Sequence, residues 1–174
     1  MNLIYSVPHT GTRFTMAFLD FIGVSYIQRH STEEIDDRYT KIIVPMRDPA
    51  INFLSLRKNN ERRPFQELLD QCCNDWELLG KGLEGRHRIL FKIDGAVDFQ
   101  NIDYSPLVKV AKYFDKRRAL PKLVKFGWPV VGAYKFPPTS INSFRSVSDN
   151  ERDVIFQALE KVRRVYGYHN NNPN

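Results

Sequence analysis

The chain has 174 residues, of which 42% are hydrophobic and 26% are charged. This length suits one domain with a hydrophobic core and is too short for two ordinary domains, and the composition excludes a disordered chain. The 26 Lys and Arg residues against 20 Asp and Glu give a formal charge of +6 and a pI near 9.4, which favours anionic partners without identifying them.

The first predicted unit is a strand, a tight loop and a helix. Residues 3–7 form a short apolar run that Pro8 and Gly11 stop, as expected of a buried strand that enters a loop. Apolar residues then recur at helical spacing until Gly23, a natural helix stop. They are Phe14, Ala17, Phe18, Phe21 and Ile22.

Two further strands are predicted at residues 24–28 and 41–46, with a polar loop or short helix at 31–38 between them. Pro49 fits the first turn of a helix. A second strand-to-helix junction is therefore predicted at Arg47-Asp48-Pro49.

The next predicted helix opens at Pro64, carries the adjacent cysteines Cys72 and Cys73, and ends at the glycines of positions 80, 82 and 85. Neighbouring side chains on a helix point in different directions, so we expect no disulfide between the cysteines and a reduced setting. Residues 88–93 read as a fourth strand, and Ser105-Pro106 as the start of another helix.

Ser148 and Glu151 form a capping-box pattern before a final helix that Gly167 closes. Strands that alternate with helices predict an α/β fold with a mainly parallel central sheet flanked by helices. We expect a single domain over residues 1–168 and a frayed tail at 169–174.

The opening residues lack the basic start and apolar length of a signal peptide, and no apolar run approaches about 18–20 residues. We therefore expect a cytoplasmic protein with no membrane association. We also expect no specific nucleic-acid binding.

An anion site is predicted between the first strand and the first helix. Backbone N–H groups at a helix start attract phosphate, and Thr10 and Thr12 add hydroxyl donors. The Walker A pattern is absent, because the loop has one glycine and no following Lys, and this disfavours an ordinary kinase or ATPase loop. A tight turn with a helix cap is the alternative interpretation.

A second phosphate contact is predicted from Arg47 at a strand end and Ser55, eight residues later. The guanidinium would supply a charged fork and the hydroxyl a further hydrogen bond. The alternative is a surface pair of Arg47 and Asp48 with a helix cap.

Together the two segments resemble the sulfotransferase family. Its first signature, written loosely as P-[KR]-[ST]-G-T-[TS]-[WF], is matched by Pro8-His9-Thr10-Gly11-Thr12-Arg13-Phe14 except at His9 and at Arg13, which replaces a hydroxyl residue. Its second, R-[DN]-P followed by Ser eight residues after the Arg, is matched by Arg47-Asp48-Pro49 and Ser55. A fainter likeness continues in the strand at 88–94 and in the final helix.

This resemblance implies a P-loop-like, sulfotransferase-type fold and the cofactor 3′-phosphoadenosine 5′-phosphosulfate, with no metal. The loop of His9, Thr10, Gly11, Thr12 and Arg13 would hold the 5′-phosphosulfate, and Arg47 and Ser55 the 3′-phosphate. Phe14 sits where the family often places an aromatic ring against the adenine.

The resemblance also implies transfer of a sulfuryl group to a hydroxyl or amine of an unknown acceptor. His9 departs from the family, which has Lys or Arg there, and Arg13 could supply the missing positive charge. His30 resembles the catalytic histidine of cytosolic sulfotransferases in sequence order, and Glu33 and Glu34 are alternative bases.

The basic, proline-rich region 116–145 is expected to be an irregular loop. Lys135 and Arg145 are candidates to close over the nucleotide. The simpler alternative is that the region is a solvated loop without contact to the nucleotide. The sequence therefore predicts a compact sulfotransferase-like enzyme. There are two alternatives. One is a nucleotide-binding protein of the same fold without transfer activity, which His9 favours. The other is a divergent nucleotide kinase.

Overall fold

The computed structural model describes residues 1–93, 105–122, 144 and 146–169. Its centre is a sheet of four parallel strands in the order β2-β1-β3-β4. The strands are β1 (Asn2–Ser6), β2 (Ile27–His30), β3 (Lys41–Met46) and β4 (Arg88–Lys92).

Helices cover both faces of this sheet. They are α1 (Thr12–Phe21), α2 (Pro49–Asn59), α3 (Phe65–Gly82), α4 (Ser105–Tyr113) and α5 (Asp149–Val165), together with a 3-10 helix at Arg117–Lys122.

The hydrophobic core has two halves because alternate strand residues point to opposite faces. On one face Leu3 and Tyr5 of β1 pack in a buried cluster with residues of α2, α3 and α5. On the other face Ile4 packs in a second cluster with residues of α1 and α4. Burial on both faces explains why the central strands read as continuous apolar runs rather than as alternating patterns.

The connections place the start of α1 and the start of α2 at one edge. The chain leaves β1 through α1, on one face, to reach β2, and leaves β3 through α2 and α3, on the opposite face, to reach β4. In open parallel sheets, ligands bind at the carboxyl ends of adjacent strands where the connections diverge in this way. Here the connections diverge in this way between the ends of β1 and β3.

The predicted parallel α/β architecture is confirmed, and β3 spans the residues predicted for it. Strand β2 begins at Ile27 rather than at residue 24. The reason is the end of α1: the N–H of Val24 still bonds to the carbonyl of Leu19, at 2.9 Å, and Gly23 has a left-handed φ of 67°. Residues 31–38 form neither helix nor strand.

Helix α3 continues through Gly80 and ends at Gly82. A Cβ at Gly82 would lie 2.5 Å from the hydroxyl of Tyr5, so the glycine lets α3 pack closely on β1. Both cysteines of this helix are free thiols, as expected. The predicted cap of α5 is confirmed, because the Ser148 hydroxyl accepts the N–H of Glu151 at 3.3 Å.

The 3-10 helix lies in the region predicted to be irregular, most of which falls outside the described residues, as do residues 170–174 of the predicted tail. None of the helices described is both long enough and apolar enough to cross a lipid bilayer.

Candidate functional site

The loop after β1 is held by side chains at both of its ends. The buried Thr10 hydroxyl donates to the carbonyl of Val7 at 2.7 Å, and the side-chain amide of Asn52 on α2 donates to the carbonyl of Pro8 at 2.7 Å. Asn52 is itself fixed, because its Oδ1 accepts the indole N–H of Trp76 at 3.0 Å. The loop therefore has one rigid path, and the hydroxyl proton of Thr10 is used to maintain it.

Gly11 begins α1 in a conformation that only glycine adopts easily. Its φ is 94°, and no side chain of the described residues caps the helix start. A Cβ at this position would lie 1.8 Å from Cδ1 of Ile93, just after β4. The glycine thus lets the helix start approach the end of β4 without a side chain between them. The N–H groups of the first turn, uncapped by a side chain, form a site that favours an anion.

His9 stands in this loop with a strained backbone. Its φ of 66° is unusual for a residue other than glycine, although His tolerates that region better than most. Burial lowers the pKa of His9 below its ordinary value, and the positive charges of Arg47, His30 and Arg13 lower it further. The residue keeps solvent contact, so the desolvation is partial. His9 is therefore neutral at pH 7 in the free protein and is no fixed cation.

The same electrostatic contacts show that the fold brings together residues from three separate segments. Arg13, exposed in the first turn of α1, Arg47 after β3 and His30 at the end of β2 all act on His9. His30 lies opposite Ser6 in the β1–β2 register, so the ends of these strands coincide. The site residues predicted from different parts of the sequence thus share one edge of the sheet.

Asp48 anchors the junction after β3 through a helix cap, as the alternative interpretation of the sequence predicted, and through an ion pair that the sequence did not indicate. Its Oδ1 accepts the N–H of Ala50 at 2.9 Å, which caps α2. Both carboxylate oxygens also accept from the Arg163 guanidinium, at 3.0 and 3.1 Å. Asp48 is 1% exposed and Arg163 3% exposed. This ion pair ties α5 to the site edge, and it fixes the residue that follows Arg47.

Arg47 is 8% exposed and lies at the carboxyl end of β3. Ser55 lies two turns into α2 and is partly exposed. Its hydroxyl has no hydrogen-bond partner among the described residues, while its carbonyl accepts the Asn59 amide at 2.7 Å. The predicted pair is therefore on one strand-to-helix unit, with the serine hydroxyl available to a ligand.

Thr12 and Phe14 have structural contacts within the fold. The Thr12 hydroxyl donates to the hydroxyl of Ser6 at 3.0 Å. Phe14 is 3% exposed and packs against Phe91, with 5.9 Å between ring centroids. This placement gives the Phe14 ring a role in the core, and its contact with an adenine stays a prediction.

The candidate bases after β2 differ in their surroundings. Nε2 of His30 lies 3.0 Å from the amide nitrogen of Gln28, and its Nδ1 is buried without a hydrogen-bond partner among the described residues. Glu33 accepts the backbone N–H of His30 at 2.8 Å and the Arg29 guanidinium at 2.9 Å, so its carboxylate stabilises the loop. Glu34 is exposed. Of the three, His30 is the one whose charge acts on His9.

Sequence reasoning did not identify Asn52, Arg163 and Gln28 as parts of this edge. Asn52 carried one signal, since an asparagine inside a helix needs a side-chain partner to offset its low helix propensity. The predicted Lys135 and Arg145 lie outside the described residues.

Comparison of the chain with protein-family models, with curated proteins and with solved structures found no match. The chemistry and placement of the residues at this edge are therefore the evidence for function.

Proposed function

We propose that the chain is a sulfotransferase-like enzyme that takes a sulfuryl group from 3′-phosphoadenosine 5′-phosphosulfate and transfers it to a hydroxyl or amine. One observation carries this proposal. The two segments that resemble the family's phosphate-binding signatures follow adjacent parallel strands, β1 and β3, at the edge where the chain diverges to opposite faces. This edge is where open α/β sheets bind nucleotides.

The residues of the edge fit phosphate groups. The start of α1 offers backbone N–H groups without a competing side-chain cap, and the exposed Arg13 adds positive charge beside it. On this proposal they hold the 5′ end of the nucleotide. Arg47 and the available hydroxyl of Ser55 hold the 3′-phosphate, which is the group that distinguishes this nucleotide from ADP or ATP.

The bound nucleotide supplies the sulfuryl group: a bond forms between sulfur and the acceptor atom as the bond from sulfur to the 5′-phosphate oxygen breaks. His30 takes the proton that the acceptor hydroxyl or amine loses. Arg13 and the N–H groups of α1 stabilise the negative charge that develops on the leaving phosphate oxygen. Asn52 and Asp48 maintain the geometry of the two loops that carry these groups.

A nucleotide-binding protein without transfer activity is the second candidate, and His9 favours it. The family's fixed cation at this position is replaced by an imidazole whose pKa is lowered by burial and by neighbouring positive charges. Arg13 must then supply the charge that transfer needs. An active enzyme transfers the sulfuryl group as the wild type and loses this transfer, but not nucleotide binding, in Arg13→Gln. A protein that only binds the nucleotide shows no transfer in either form.

The 3′-phosphate contacts can be tested with adenosine 3′,5′-bisphosphate. Arg47→Lys keeps the charge and removes the fork; a charged hydrogen bond contributes about 1.5–3 kcal/mol, so the affinity should fall roughly 10- to 150-fold. Ser55→Ala removes a neutral hydrogen bond and should lower it about 2- to 10-fold.

Arg164→Lys is the matched control, because Arg164 is exposed on α5 and pairs with Glu160 away from the site edge. Its affinity should equal that of the wild type. Thermal unfolding of each variant checks that the fold is intact, and equal affinities in Arg47→Lys, Ser55→Ala and the wild type would contradict the assignment.

A further inference from the structure

A cavity of about 810 Å³ opens between the C-terminal ends of helices α1 and α4. Residues that end α1 or follow one of the two helices line it, among them Phe21, Ile22, Gly23, Lys116, Arg117 and Arg118. Binding sites for small molecules have volumes of about 300–1,000 Å³ and combine apolar walls with a few polar groups. The cavity therefore has the dimensions of a small-molecule site.

Contacts with the first residues of two strands place this cavity at the amino edge of the sheet. The side-chain amide of Asn2, at the start of β1, donates to the carbonyl of Ser25 at 2.8 Å, two residues after Gly23. The ammonium of Lys41, at the start of β3, donates to the carbonyl of Tyr113, the last residue of α4, at 2.8 Å. The phosphate loop follows the other end of β1, so the cavity is separate from the proposed nucleotide site.

Positive charge is concentrated where the cavity meets the end of α4. Lys116, Arg117 and Arg118 are consecutive cations, and none of them forms a salt bridge with another residue that the structure describes. The Asp115 carboxylate also lines the cavity, but it accepts the Lys41 ammonium at 2.8 Å and attracts Arg117 only at longer range. A net positive charge is therefore left at this wall.

The end of α4 alone does not account for these cations. A helix C-terminus favours positive charge within its last turn, and Lys112 already occupies that turn. Arg117 and Arg118 lie beyond it, in the 3-10 helix, and both are exposed. Their guanidinium groups are therefore available to an anionic ligand.

The wall that α1 contributes is apolar. Phe21 is 38% exposed and Ile22 is 5% exposed. At Gly23 no described atom lies within 4 Å of the position that a Cβ would take, so the backbone there borders open space. An apolar wall and a group of cations in one cavity fit an organic anion rather than a bare inorganic ion.

We propose that this cavity binds a phosphate monoester with an apolar body. Arg117 and Arg118 hold the phosphate through paired N–H donors, and Phe21 contacts the apolar body. A phosphate monoester carries up to two negative charges, so it gains more from several cations than a carboxylate with one charge does. This site is additional to the proposed nucleotide site and does not depend on it.

Phenyl phosphate is the probe for this site, followed by ¹H–¹⁵N NMR of the amides of Gly23 and Ala119, which line the cavity. Both amides should shift to saturation. Phenyl phosphate should bind at least about fivefold more tightly than inorganic phosphate, which lacks the ring, and than benzoate, which has a single charge. Equal affinity for phenyl phosphate and either of these anions would overturn the proposal. Shifts at Gly11 without shifts at Gly23 would place the anion at the opposite edge and would also overturn it.

Charge-matched variants separate this site from general attraction of anions to a basic protein. Arg117→Gln combined with Arg118→Gln should lower the affinity for phenyl phosphate at least about fivefold, the contribution of one well-formed exposed ion pair. Arg62→Gln combined with Arg164→Gln is the control, because it removes the same charge from exposed positions on the face that α2, α3 and α5 cover. Its affinity should equal that of the wild type, and thermal unfolding checks both folds. Equal losses in the two double variants would overturn the proposal.

Discussion

Replacing Gly11 by Ala should destabilise the protein much more than the same change at Gly23, although both glycines have positive φ. Gly23, at 67°, would place its Cβ in open space, whereas Gly11, at 94°, would place it 1.8 Å from Cδ1 of Ile93. Gly23→Ala therefore suffers backbone strain alone, whereas Gly11→Ala suffers backbone strain and a collision with a buried side chain.

The magnitudes follow from these two terms. A left-handed conformation costs an alanine about 1–2 kcal/mol, which is the whole effect expected in Gly23→Ala. Overpacking adds about 1–3 kcal/mol, so Gly11→Ala should lose about 2–5 kcal/mol of unfolding free energy. Ile93→Val removes the colliding Cδ1 and by itself costs about 0.5–1.5 kcal/mol. In the double variant the 1.8 Å contact is removed and only Cγ1 stays close, at 3.2 Å. Most of the overpacking cost should therefore disappear, which gives a favourable coupling of about 1–3 kcal/mol.

Urea unfolding of the four proteins of this cycle, with Gly23→Ala as the matched control, measures the coupling. Titration with adenosine 3′,5′-bisphosphate then shows whether the double variant, with its helix start restored, recovers nucleotide affinity. Equal destabilisation by Gly11→Ala and Gly23→Ala, or additive effects of Gly11→Ala and Ile93→Val, would refute the claim that the site loop needs glycine for its approach to β4.

Three further outcomes are expected. A bound phosphate favours the protonated form of His9, whose pKa is lowered in the free protein. Nucleotide affinity should therefore rise as the pH falls from the His9 pKa of the complex to that of the free protein. The slope should reach at most one log unit of affinity per pH unit. His9→Asn should lose this part of the pH dependence. Calorimetric titration of both proteins at the same pH values cancels the protonation of the ligand, and identical slopes of affinity against pH in the two proteins would contradict the prediction. Arg163→Met leaves the buried Asp48 without its cation and should lower the free energy of unfolding in urea by about 3–5 kcal/mol. The control Arg164→Met, on the exposed side of α5, should change it by less than about 0.5 kcal/mol. Equal effects of the two substitutions would contradict the buried ion pair. Arg13→Gln should reduce sulfuryl transfer more than nucleotide affinity in a radiolabel assay, and parallel losses would assign Arg13 to binding alone.

The sequence predicted the strand-to-helix units well because their signals are local. Apolar runs, helical spacing, Pro49 at a first turn and the Ser148 cap each report on a few neighbouring residues, and each corresponds to an element that the structure describes. The boundary of β2 was wrong for a similar reason: Val24 is apolar enough for a strand, but its N–H completes the end of α1.

The contacts that assemble the site could not be predicted in this way, since they join residues far apart in the chain. Arg163 reaches Asp48 across 115 positions, and Asn52 on α2 holds the loop at Pro8 across 44. The helical spacing of α5 does place Arg163, and not Arg164, on the same face as the buried Ile155 and Leu159. No local pattern shows, however, that the partner of Arg163 on that face is Asp48.

The sequence likewise did not predict the structural contacts of the loop after β1. The Thr10 hydroxyl donates to the carbonyl of Val7, and the Phe14 ring packs in the core. Their contacts with a nucleotide stay predictions. The backbone conformation of His9 could not be predicted either. Histidine tolerates a positive φ, but its presence in the sequence does not indicate one, because the conformation is a property of the folded loop.

Calorimetric titration of the wild-type protein with adenosine 3′,5′-bisphosphate and with ADP, each with and without Mg²⁺, tests the proposed function most directly. On the proposed function Arg47 and Ser55 hold the 3′-phosphate, so the bisphosphate should bind at least about tenfold more tightly than ADP, the discrimination expected of one charged hydrogen bond, and without a requirement for Mg²⁺. Equal affinities for the two nucleotides, or binding that depends on Mg²⁺, would contradict the account.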